Sequence, residues 1–521
     1  SMPAGLPRLF AVASAAAATA AAAANTNSAS STEESHSFSN GDFFPSRYAE
    51  LPRARLLPGK SSSQPAGLSL ASVSVLMRHG ARTPLHKVPG YLGDQFRWPT
   101  DVAYQLAEMD GVQMQLYDPL HPGSQPSLMR PHRQYLLGGA QPGSLTRLGQ
   151  ADMIRLGQRL RRDYRQLVND NLRKHKEDYG GWLYCRSTSI LRCVQSLQCV
   201  LAGLLLDAQP GESLEASAAP ATVRVAIRSL IDEDLFPNFR TVPELQNLNL
   251  ANASALLSRL DGYLATRQQL ANAFGIPSYG GRASPMPSWN ETQKPRENFV
   301  PLYFARDDLS ARLAHGSTLP GPVAKLCPTL DRLCALELLT EEMGPCEIWE
   351  EALPYCIGTW VHTLASNVDR LASGRGDHHR FELYSSHDSM LLPVLLALGF
   401  DPRSDISWPP FGSAIVFEFY TNDNGSSAGA TASQERIWCR VLYQDRAVQL
   451  PGCQSEFAPL SVLSDRFFRL ARPREGFVEA SQAAGRELNS WYREHGLAHL
   501  EPWPYDADST GADGERDAKR A

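Results

Sequence analysis

Three polar clusters in this sequence combine residue types that suit phosphate chemistry. The first is segment 78–84, RHGARTP, in which Arg78 and Arg82 flank His79. Arginine binds phosphate oxygens through paired hydrogen bonds, and histidine can attack phosphorus or transfer a proton. The other two clusters are Arg186 and the pair His387-Asp388. Together they predict a site for a phosphate group.

Each cluster follows a segment that is predicted to be a β-strand. Apolar residues alternate with serines over 68–75, as in a half-buried strand that ends near Gly80. Short apolar runs over 181–185 and 381–386 precede the other two clusters. Ligands of open α/β sheets bind beyond the carboxyl ends of the strands, where helix N-termini also favour anions. We therefore expect all three clusters at that edge of a sheet.

Helical patterns accompany these strands. After Thr146, apolar residues recur every three or four positions as far as Leu167, which predicts an amphipathic helix. A second helix is expected after Arg186, with Ser187 or Thr188 as its cap.

Further regular elements are predicted towards the C-terminus. Residues 357–371 and 389–398 are expected to be helical, the second helix starting at an Asp388 cap and ending at Gly399. Residues 414–420 and 436–444 alternate as paired strands do, with the low-complexity run 422–435 as their connection.

The overall composition is that of a globular protein. A chain of 521 residues with 43% hydrophobic residues is long enough for two or three domains, or for one large domain with an insertion. The 50 basic and 55 acidic residues leave a net charge of −5, so no basic excess indicates a nucleic-acid partner.

Nine cysteines are scattered along the chain without a CxxC pair, so a zinc site is not predicted. The odd number leaves at least one free thiol. Cysteines between 327 and 356 could form disulfides in an oxidising compartment.

The N-terminal segment is expected to be a targeting signal. Ser1-Met2 resembles a cloning remnant, and residues 9–24 form an Ala-rich apolar run. This run fits a secretory signal or a transit peptide and is only marginal for a membrane span, so no integral membrane segment is expected.

Taken in order, the three clusters resemble the histidine acid phosphatases of the phosphoglycerate mutase-like superfamily, which carry an RHGxRxP signature and a later HD pair. The similarity extends from about residue 69 to 455. Several further stretches resemble the branch of this family that acts on lysophosphatidic acid. They are 145–149, 186–188, 235–239, 361–362 and 408–411.

This resemblance implies the fold and the roles of the site residues. The fold would be α/β, with a mostly parallel sheet, helices on both faces and an inserted helical cap. His79 would be the nucleophile that forms a phosphohistidine, and Asp388 would protonate the leaving oxygen. The phosphoryl oxygens would be bound by Arg78, Arg82, Arg186 and His387. The family uses no metal and no other cofactor.

The domain prediction combines the patterns with this resemblance. Residues 68–90, 142–235 and 365–500 would form a discontinuous phosphatase core, and residues 91–141 and 236–364 its cap. Residues 1–67 are expected to hold the targeting segment and a disordered linker, and residues 501–521 a disordered tail. The branch implies a mitochondrial location, and the secretory pathway or the extracellular space is the alternative.

The resemblance implies hydrolysis of a phosphate monoester, namely lysophosphatidic acid to monoacylglycerol and phosphate. A phytase-like or sugar-phosphate phosphatase is the first alternative, although residues 85–100 supply only Lys87 and Arg97 for additional phosphates. An inactive protein that binds anions is the second. Weaker site candidates and possible glycosylation positions are His86, His132, His362, Asn252, Asn290 and Asn424.

Overall fold

The structure is a computed structural model. It describes residues 53–57, 65–86, 88, 96–103, 111–126, 128–129, 135–175, 179–206, 221–230, 232–238, 257–275, 301–344, 346, 349–422 and 436–474. The predicted targeting segment, the C-terminal tail, His132 and the three glycosylation candidates lie outside these residues. Within them, the strands form one mixed sheet of ten strands.

One half of the sheet is parallel. Its five strands lie in the order β2-β6-β4-β5-β3. Parallel neighbours need long crossover connections, which here contain helices. The strands are β2 (Leu68–Arg78), β3 (Val112–Tyr117), β4 (Leu183–Ser187), β5 (Ala221–Ile227) and β6 (Phe381–Ser386). The helices of this half are α1 (Arg147–Asp163), α2 (Arg165–His175) and α3 (Leu191–Leu205).

The other half is antiparallel, so the prediction of a mostly parallel sheet is corrected to a mixed one. It continues from β2 in the order β7-β8-β9-β1, and β10 also pairs with β8. The link between β8 and β9 is a two-residue turn in which Gln444 and Asp445 have positive φ, and so tight a hairpin joins antiparallel strands. The predicted pairing of 414–420 with 436–444 is confirmed. The strands are β1 (Arg55–Leu56), β7 (Ala414–Asn422), β8 (Ile437–Tyr443), β9 (Arg446–Gln449) and β10 (Phe457–Pro459).

Helices cover both faces of the sheet, as predicted. On one face Val73, Val75 and Met77 of β2 join the apolar core formed with α1 and α3. On the other face Leu76 joins a second core. That core includes α7 (Trp349–Ala372), α8 (Asp388–Leu398) and α9 (Leu460–Arg466). Ser72 and Ser74 of β2 are therefore not on a solvent face, whereas Ser69 near the start of the strand is exposed. Ser74 is 1% exposed and donates a hydrogen bond to Glu382.

The described part of the predicted cap is mainly helical in its second segment, whereas in its first segment it contains a short 3₁₀ helix (Thr100–Val102) and a strand. Helices α4 (Tyr263–Phe274), α5 (Leu302–Ala314) and α6 (Gly321–Met343) pack together, and α6 also contacts α7 and α8. Residues 112–117, predicted to belong to the cap, instead form edge strand β3 of the core sheet. Alternation of Val112, Met114 and Leu116 with glutamines was the missed strand signal.

All nine cysteines lie in the described residues as free thiols, so the disulfides considered for 327–356 are not formed. Within the described ranges, no helix has the length and apolar character that crossing a membrane requires.

The start of α1 is built directly against the RHGARTP loop. Thr146 caps α1 by accepting from the Gly149 amide at 3.2 Å, and it also binds the Ala81 carbonyl oxygen. A Cβ at Gly149 would overlap backbone atoms of Ala81, while a Cβ at Gly80 would meet the Gly149 carbonyl. The two glycines therefore allow the helix and the loop to touch.

We expect Gly149→Ala to reduce the free energy of unfolding by about 1–3 kcal/mol, because the added methyl group must displace the backbone of the loop. Chemical denaturation measures this change. Gly321→Ala is the matched control, since nothing lies within 4 Å of its Cβ position. Equal stability of the two variants would contradict the close approach.

Candidate active site

Parallel pairing brings two of the sequence clusters together. Arg78 lies opposite Ser386, the last residue of β6, so His79 and His387 leave adjacent strands side by side. Their ring centroids are 5.5 Å apart. The polar side chains thus meet at the carboxyl edge of the sheet, close to where its antiparallel half begins.

His79 is held as a neutral imidazole with a defined proton position. Its Nδ1 lies 2.9 Å from the Gly80 carbonyl oxygen. A carbonyl can only accept, so Nδ1 carries the hydrogen and Nε2 has a lone pair. Burial, and then the positive charges of Arg192 and Arg78, lower the pKa of His79 well below 6.5. Its Nε2 therefore stays nucleophilic in mildly acidic solution.

Arg78 faces this ring from the end of β2. Its Nη1 donates to the Pro409 carbonyl oxygen at 2.6 Å, and its Nη2 lies 2.6 Å from Asp388 Oδ2. The guanidinium stacks on the Phe411 ring at 4.3 Å. Burial lowers the pKa of Arg78 to about 9, so it remains a cation at neutral pH.

Arg82 is oriented by a cap residue that the sequence did not reveal. Its Nη2 lies 2.6 Å from Asp307 Oδ1 on α5. The other oxygen of Asp307 accepts the backbone amides of Leu85 and His86 at 2.6 and 3.0 Å. Helix α5 therefore holds the loop that follows the RHGARTP segment.

Asp388 is ionised in the protein without ligand. Burial would raise its pKa, but the charges of Arg78 and Arg82 outweigh burial and lower it to about 2. Trp408 Nε1 donates to Oδ2 at 2.8 Å. The predicted capping role is wrong, since His387 is the N-cap of α8 and Asp388 is its first helical residue. The strand ends at Ser386, so only His387 has the extended backbone of a cap.

His387 is fixed on both ring nitrogens. Nε2 lies 3.1 Å from Thr188 Oγ1, and Nδ1 lies 3.4 Å from Arg192 Nη2. Guanidinium groups only donate, so Nδ1 accepts and Nε2 donates to Thr188. Burial, followed by the charge of Arg192, lowers the pKa of His387 well below 6.5.

Arg186 is not where the sequence interpretation placed it. It lies inside β4, one residue before the strand ends, and its Nη2 pairs with Glu233 at 2.6 Å and with Asp234. Its side chain is fully buried, and Nε and Nη1 have no hydrogen-bond partner in the described residues. Two carboxylates already match its charge, so the prediction that it binds the phosphoryl group is corrected.

Arg192 occupies the place expected for that third arginine. It lies in the first turn of α3, beside His387, and its charge acts on both histidines. A cation in the N-terminal turn of a helix is unfavourable unless an anion binds there. The position of Arg192 at the start of a predicted helix is therefore the sequence signal that could have identified it as a ligand of the phosphate. The predicted caps of α3 are also wrong, because Ile190 is the N-cap. Thr188 instead bonds to His387.

Each of the three site arginines has one N–H group that is available to a ligand. Among the described residues, the Nε groups of Arg78, Arg82 and Arg192 are buried without a hydrogen-bond partner. Such buried donors cost free energy until an acceptor binds. A bound phosphate would supply oxygens for them.

We expect Arg192→Met to lower kcat/KM for an aryl phosphate by roughly 10²–10³-fold, the usual effect of removing one preorganised donor to transition-state charge. Steady-state kinetics measure it. Arg159→Met, which breaks the partly exposed ion pair with Asp445 on the same domain, should stay near wild type. A normal Arg192→Met enzyme would remove Arg192 from the site.

The lining beside the site comes from the cap and from segment 408–411. A cleft of about 200 Å³ is lined by apolar side chains together with the ion pair of Arg306 and Asp331. Its apolar members include Leu309, Leu313, Leu330, Trp408, Pro410 and Phe411. In the parts of the chain that the structure describes, no group of three or more potential metal-ligating side chains occurs.

Comparison with known proteins gives the family. The family model of the histidine phosphatase superfamily (branch 2) matches residues 69–255 and 356–444. Lysophosphatidic acid phosphatase type 6 from Bos taurus is 27% identical over 414 residues, which are 75% of this chain and 81% of that protein. Testicular acid phosphatase from Mus musculus is 27% identical over 343 residues, 64% of this chain and 71% of that protein. The solved phytase of Klebsiella sp ASR1 has a TM-score of 0.45 and 17% identity, over 79% of this chain and 97% of that one.

The two matched segments contain His79, Arg192, His387 and Asp388, whereas the cap helices α4 to α6 lie between them. The prediction that the chain is a phosphoric monoester hydrolase is confirmed at the level of the family. The chain belongs to branch 2 of the histidine phosphatase superfamily.

Proposed function

We propose that this protein is an acid phosphatase that hydrolyses lysophosphatidic acid to monoacylglycerol and phosphate, through a phosphohistidine on His79 and without a metal ion. The observation that carries the proposal is the state of His79, a neutral imidazole with an unprotonated Nε2 between arginine side chains. A neutral nucleophile among fixed cations suits attack on an anionic phosphate ester.

In the first step, Nε2 of His79 attacks phosphorus and forms a P–N bond while the P–O bond to the alcohol breaks. Arg78, Arg82 and Arg192 stabilise the three non-bridging oxygens, and the buried Nε donors supply part of their hydrogen bonds. His387 becomes a fourth donor through Nδ1 when the bound phosphate draws the Arg192 guanidinium away from that nitrogen, because the neighbouring anion raises the pKa of His387 and favours its protonated form.

The alcohol oxygen takes its proton from Asp388 as it leaves. Without ligand, Asp388 is an anion paired with Arg78. A bound phosphate competes for Arg78 and adds negative charge nearby, and both effects raise the pKa of Asp388. Acidic solution then completes protonation, which gives the reaction its preference for low pH.

In the second step, Asp388 accepts a proton from water. The water oxygen attacks phosphorus, the P–N bond breaks, and phosphate leaves with His79 neutral again. The same carboxyl group thus acts first as acid and then as base.

The apolar cleft supports a lipid substrate. Phe411 lies 6.0 Å from the His79 ring, stacks on Arg78 and also lines the cleft, so an apolar surface begins beside the phosphate site. Leu313 on α5 is 45% exposed at its margin. An acyl chain buried against such side chains gains roughly 0.8 kcal/mol per methylene group.

A phytase-like activity is the alternative. A substrate with several phosphates needs several unpaired cations, whereas Arg306 in this cleft is paired with Asp331 at 2.7 Å and stacks on Trp408. The lining therefore favours an apolar alcohol over a polyphosphate. An inactive anion-binding protein is less well supported, since His79 and Asp388 are both in place.

The test is a substrate panel in the presence of a chelator. It compares lysophosphatidic acid, glycerol 3-phosphate, inositol hexakisphosphate and an aryl phosphate. We expect lysophosphatidic acid to exceed glycerol 3-phosphate in kcat/KM by about 10-fold or more, from binding of the acyl chain. A preference for inositol hexakisphosphate would support the phytase-like alternative, and no turnover of any ester would reject the proposal.

Leu313→Asp tests the cleft itself. It should lower kcat/KM for lysophosphatidic acid by about 10-fold while turnover of glycerol 3-phosphate is unchanged, because a carboxylate disfavours an apolar chain. Leu264→Asp on α4 is the control, since Leu264 is also exposed, at 58%, and is not part of the cleft lining.

A further inference from the structure

Arg186 is the centre of a buried ionic network behind the two histidines. It bridges Glu233 and Asp234, both in the segment that follows β5, and Arg228 also pairs with Asp234. Arg474, beyond α9, donates to the Asp232 carbonyl oxygen at 2.9 Å and contacts the Asp232 carboxylate at 2.5 Å. Strand β4, segment 232–235 and the C-terminal side of the core are therefore tied together by charge.

Glu233 links this ion pair to the backbone turn that follows it. The oxygen that contacts Arg186 also accepts the backbone amides of Asp234 and Leu235 at 3.0 and 2.9 Å. The backbone carbonyl of Glu233 accepts from Asn238 Nδ2 at 3.0 Å. Residues 233–235 are thus held in one conformation by a carboxylate that Arg186 keeps in place.

The turn is linked to His79 by a chain of two hydrogen bonds and to His387 by a ring contact. The Leu235 carbonyl accepts from the Ser386 hydroxyl, and the Ser386 carbonyl in turn accepts the backbone amide of His79 at 3.1 Å. The Phe236 ring packs against His387, with centroids 6.1 Å apart. A displacement of the turn would therefore move the nucleophile and its neighbour together.

Ion pairing favours the charged forms of Arg186 and Asp234, whereas burial raises the pKa of Glu233. Despite burial, the two carboxylates raise the pKa of Arg186. Burial would raise the pKa of Asp234, but Arg186 and Arg228 lower it. Removing one member leaves a buried charge without its partner, which displaces the remaining groups.

We infer that Arg186 is a positioning residue, which acts through Glu233 and the 233–236 turn on His79 and His387 and does not bind the phosphoryl group. The inference rests on the proposed function and adds to it a residue that sets the geometry of the site.

Kinetics of Arg186→Lys and Glu233→Gln test this. Lysine keeps the charge but cannot bridge two carboxylates as a guanidinium does. Both variants should lower kcat for an aryl phosphate by about 10- to 100-fold, the range for a displacement of about 1 Å in a site. The inhibition constant of inorganic phosphate should change by less than about threefold, since no phosphate ligand is lost. The double variant should be no slower than the worse single one.

Two further variants separate positioning from folding. Ser386→Ala removes the bond to Leu235 and leaves the ion pairs intact, so it should also reduce kcat. Arg440→Lys is the matched control, because Arg440 is a largely buried arginine that pairs with Glu418 and Glu456 in the antiparallel half. It should destabilise the fold yet keep kcat normal. Unchanged kcat in folded Arg186→Lys would overturn the inference, and so would a phosphate inhibition constant raised by about 10-fold or more, whatever the change in kcat.

A readout independent of turnover distinguishes failure of this inference from failure of the proposed function. The ring resonance of His387, assigned by its loss in His387→Asn, should shift in Arg186→Lys and stay in place in Arg440→Lys. If the wild-type protein hydrolyses nothing, the shift still tests positioning. If the resonance is unchanged in Arg186→Lys, the positioning role is rejected even in an active enzyme.

Discussion

His79→Ala should abolish hydrolysis of every phosphate monoester that the wild-type protein accepts. We expect kcat to fall by roughly 10⁴-fold or more, as for loss of the nucleophile in other covalent mechanisms, because the remaining cations can bind phosphate but cannot form the intermediate. The measurement is steady-state turnover of an aryl phosphate. Binding of inorganic phosphate should persist, since Arg78, Arg82 and Arg192 are unchanged.

A trapping experiment gives the chemical identity of the intermediate. Rapid quench without acid, after mixing with labelled ester, should leave label on His79 in the wild-type protein and none in His79→Ala. His121→Ala is the control for loss of an imidazole, because that side chain is 57% exposed and pairs with Asp118. Label that persists in His79→Ala would assign the nucleophile elsewhere.

The same buried histidine determines the acid side of the pH profile. Burial and the surrounding cations hold the pKa of His79 well below 6.5, so lowering the pH through 6.5 does not protonate it. A depressed pKa in the folded state means that protonation of the folded protein, and with it loss of activity, comes only at lower pH. The free energy of unfolding already decreases as the pH falls below about 6.5, because the unfolded chain binds the proton there. An acid limb of kcat with its midpoint at 6.5 would contradict this environment.

Asp388→Asn should have an effect that depends on the leaving group. For an alkyl ester such as lysophosphatidic acid we expect a loss of about 10²–10⁴-fold in kcat, since an alkoxide must otherwise leave without a proton. For an aryl phosphate with an acidic phenol the loss should be far smaller. Asparagine keeps the shape of the side chain, so the two substrates report proton donation and not misfolding.

The same variant should bind phosphate more tightly. Asp388 competes with the ligand for Arg78 Nη2 at 2.6 Å, and the neutral amide competes much less. A lower inhibition constant for inorganic phosphate is therefore expected together with slower turnover. Asp152→Asn, on the outer surface of α1, should change neither quantity. Equal losses on alkyl and aryl esters would show that Asp388 is not the proton donor.

The sequence by itself determined the parts of the site that are local in the chain. The RHGARTP loop, the strand before it and the His387-Asp388 pair at the start of a helix follow from residue type, alternation and breaking residues over short stretches. So do the amphipathic helix after Thr146 and the pairing of β7 with β8. Each depends on contacts between residues that are close in the sequence, and these contacts require a periodic spacing of apolar residues that can be recognised in the sequence.

Other features were decided by contacts between distant residues. Arg186 and Arg192 are six positions apart, and local sequence does not show which one faces the histidines. One is held within a strand by carboxylates from beyond β5, whereas the other lies in a helix turn beside His387. Likewise, Asp307 reaches Arg82 from the cap, across 225 positions of the chain.

The mixed sheet has the same explanation. Strand β2 accepts a parallel neighbour on one edge and an antiparallel one on the other, and its own sequence reads the same for both. Burial of Ser74 depends on Glu382, from a strand 308 positions away in the chain. Periodicity therefore determined the elements and the reactive loop, while charge pairing and strand order between distant segments determined which arginines bind and which ones position.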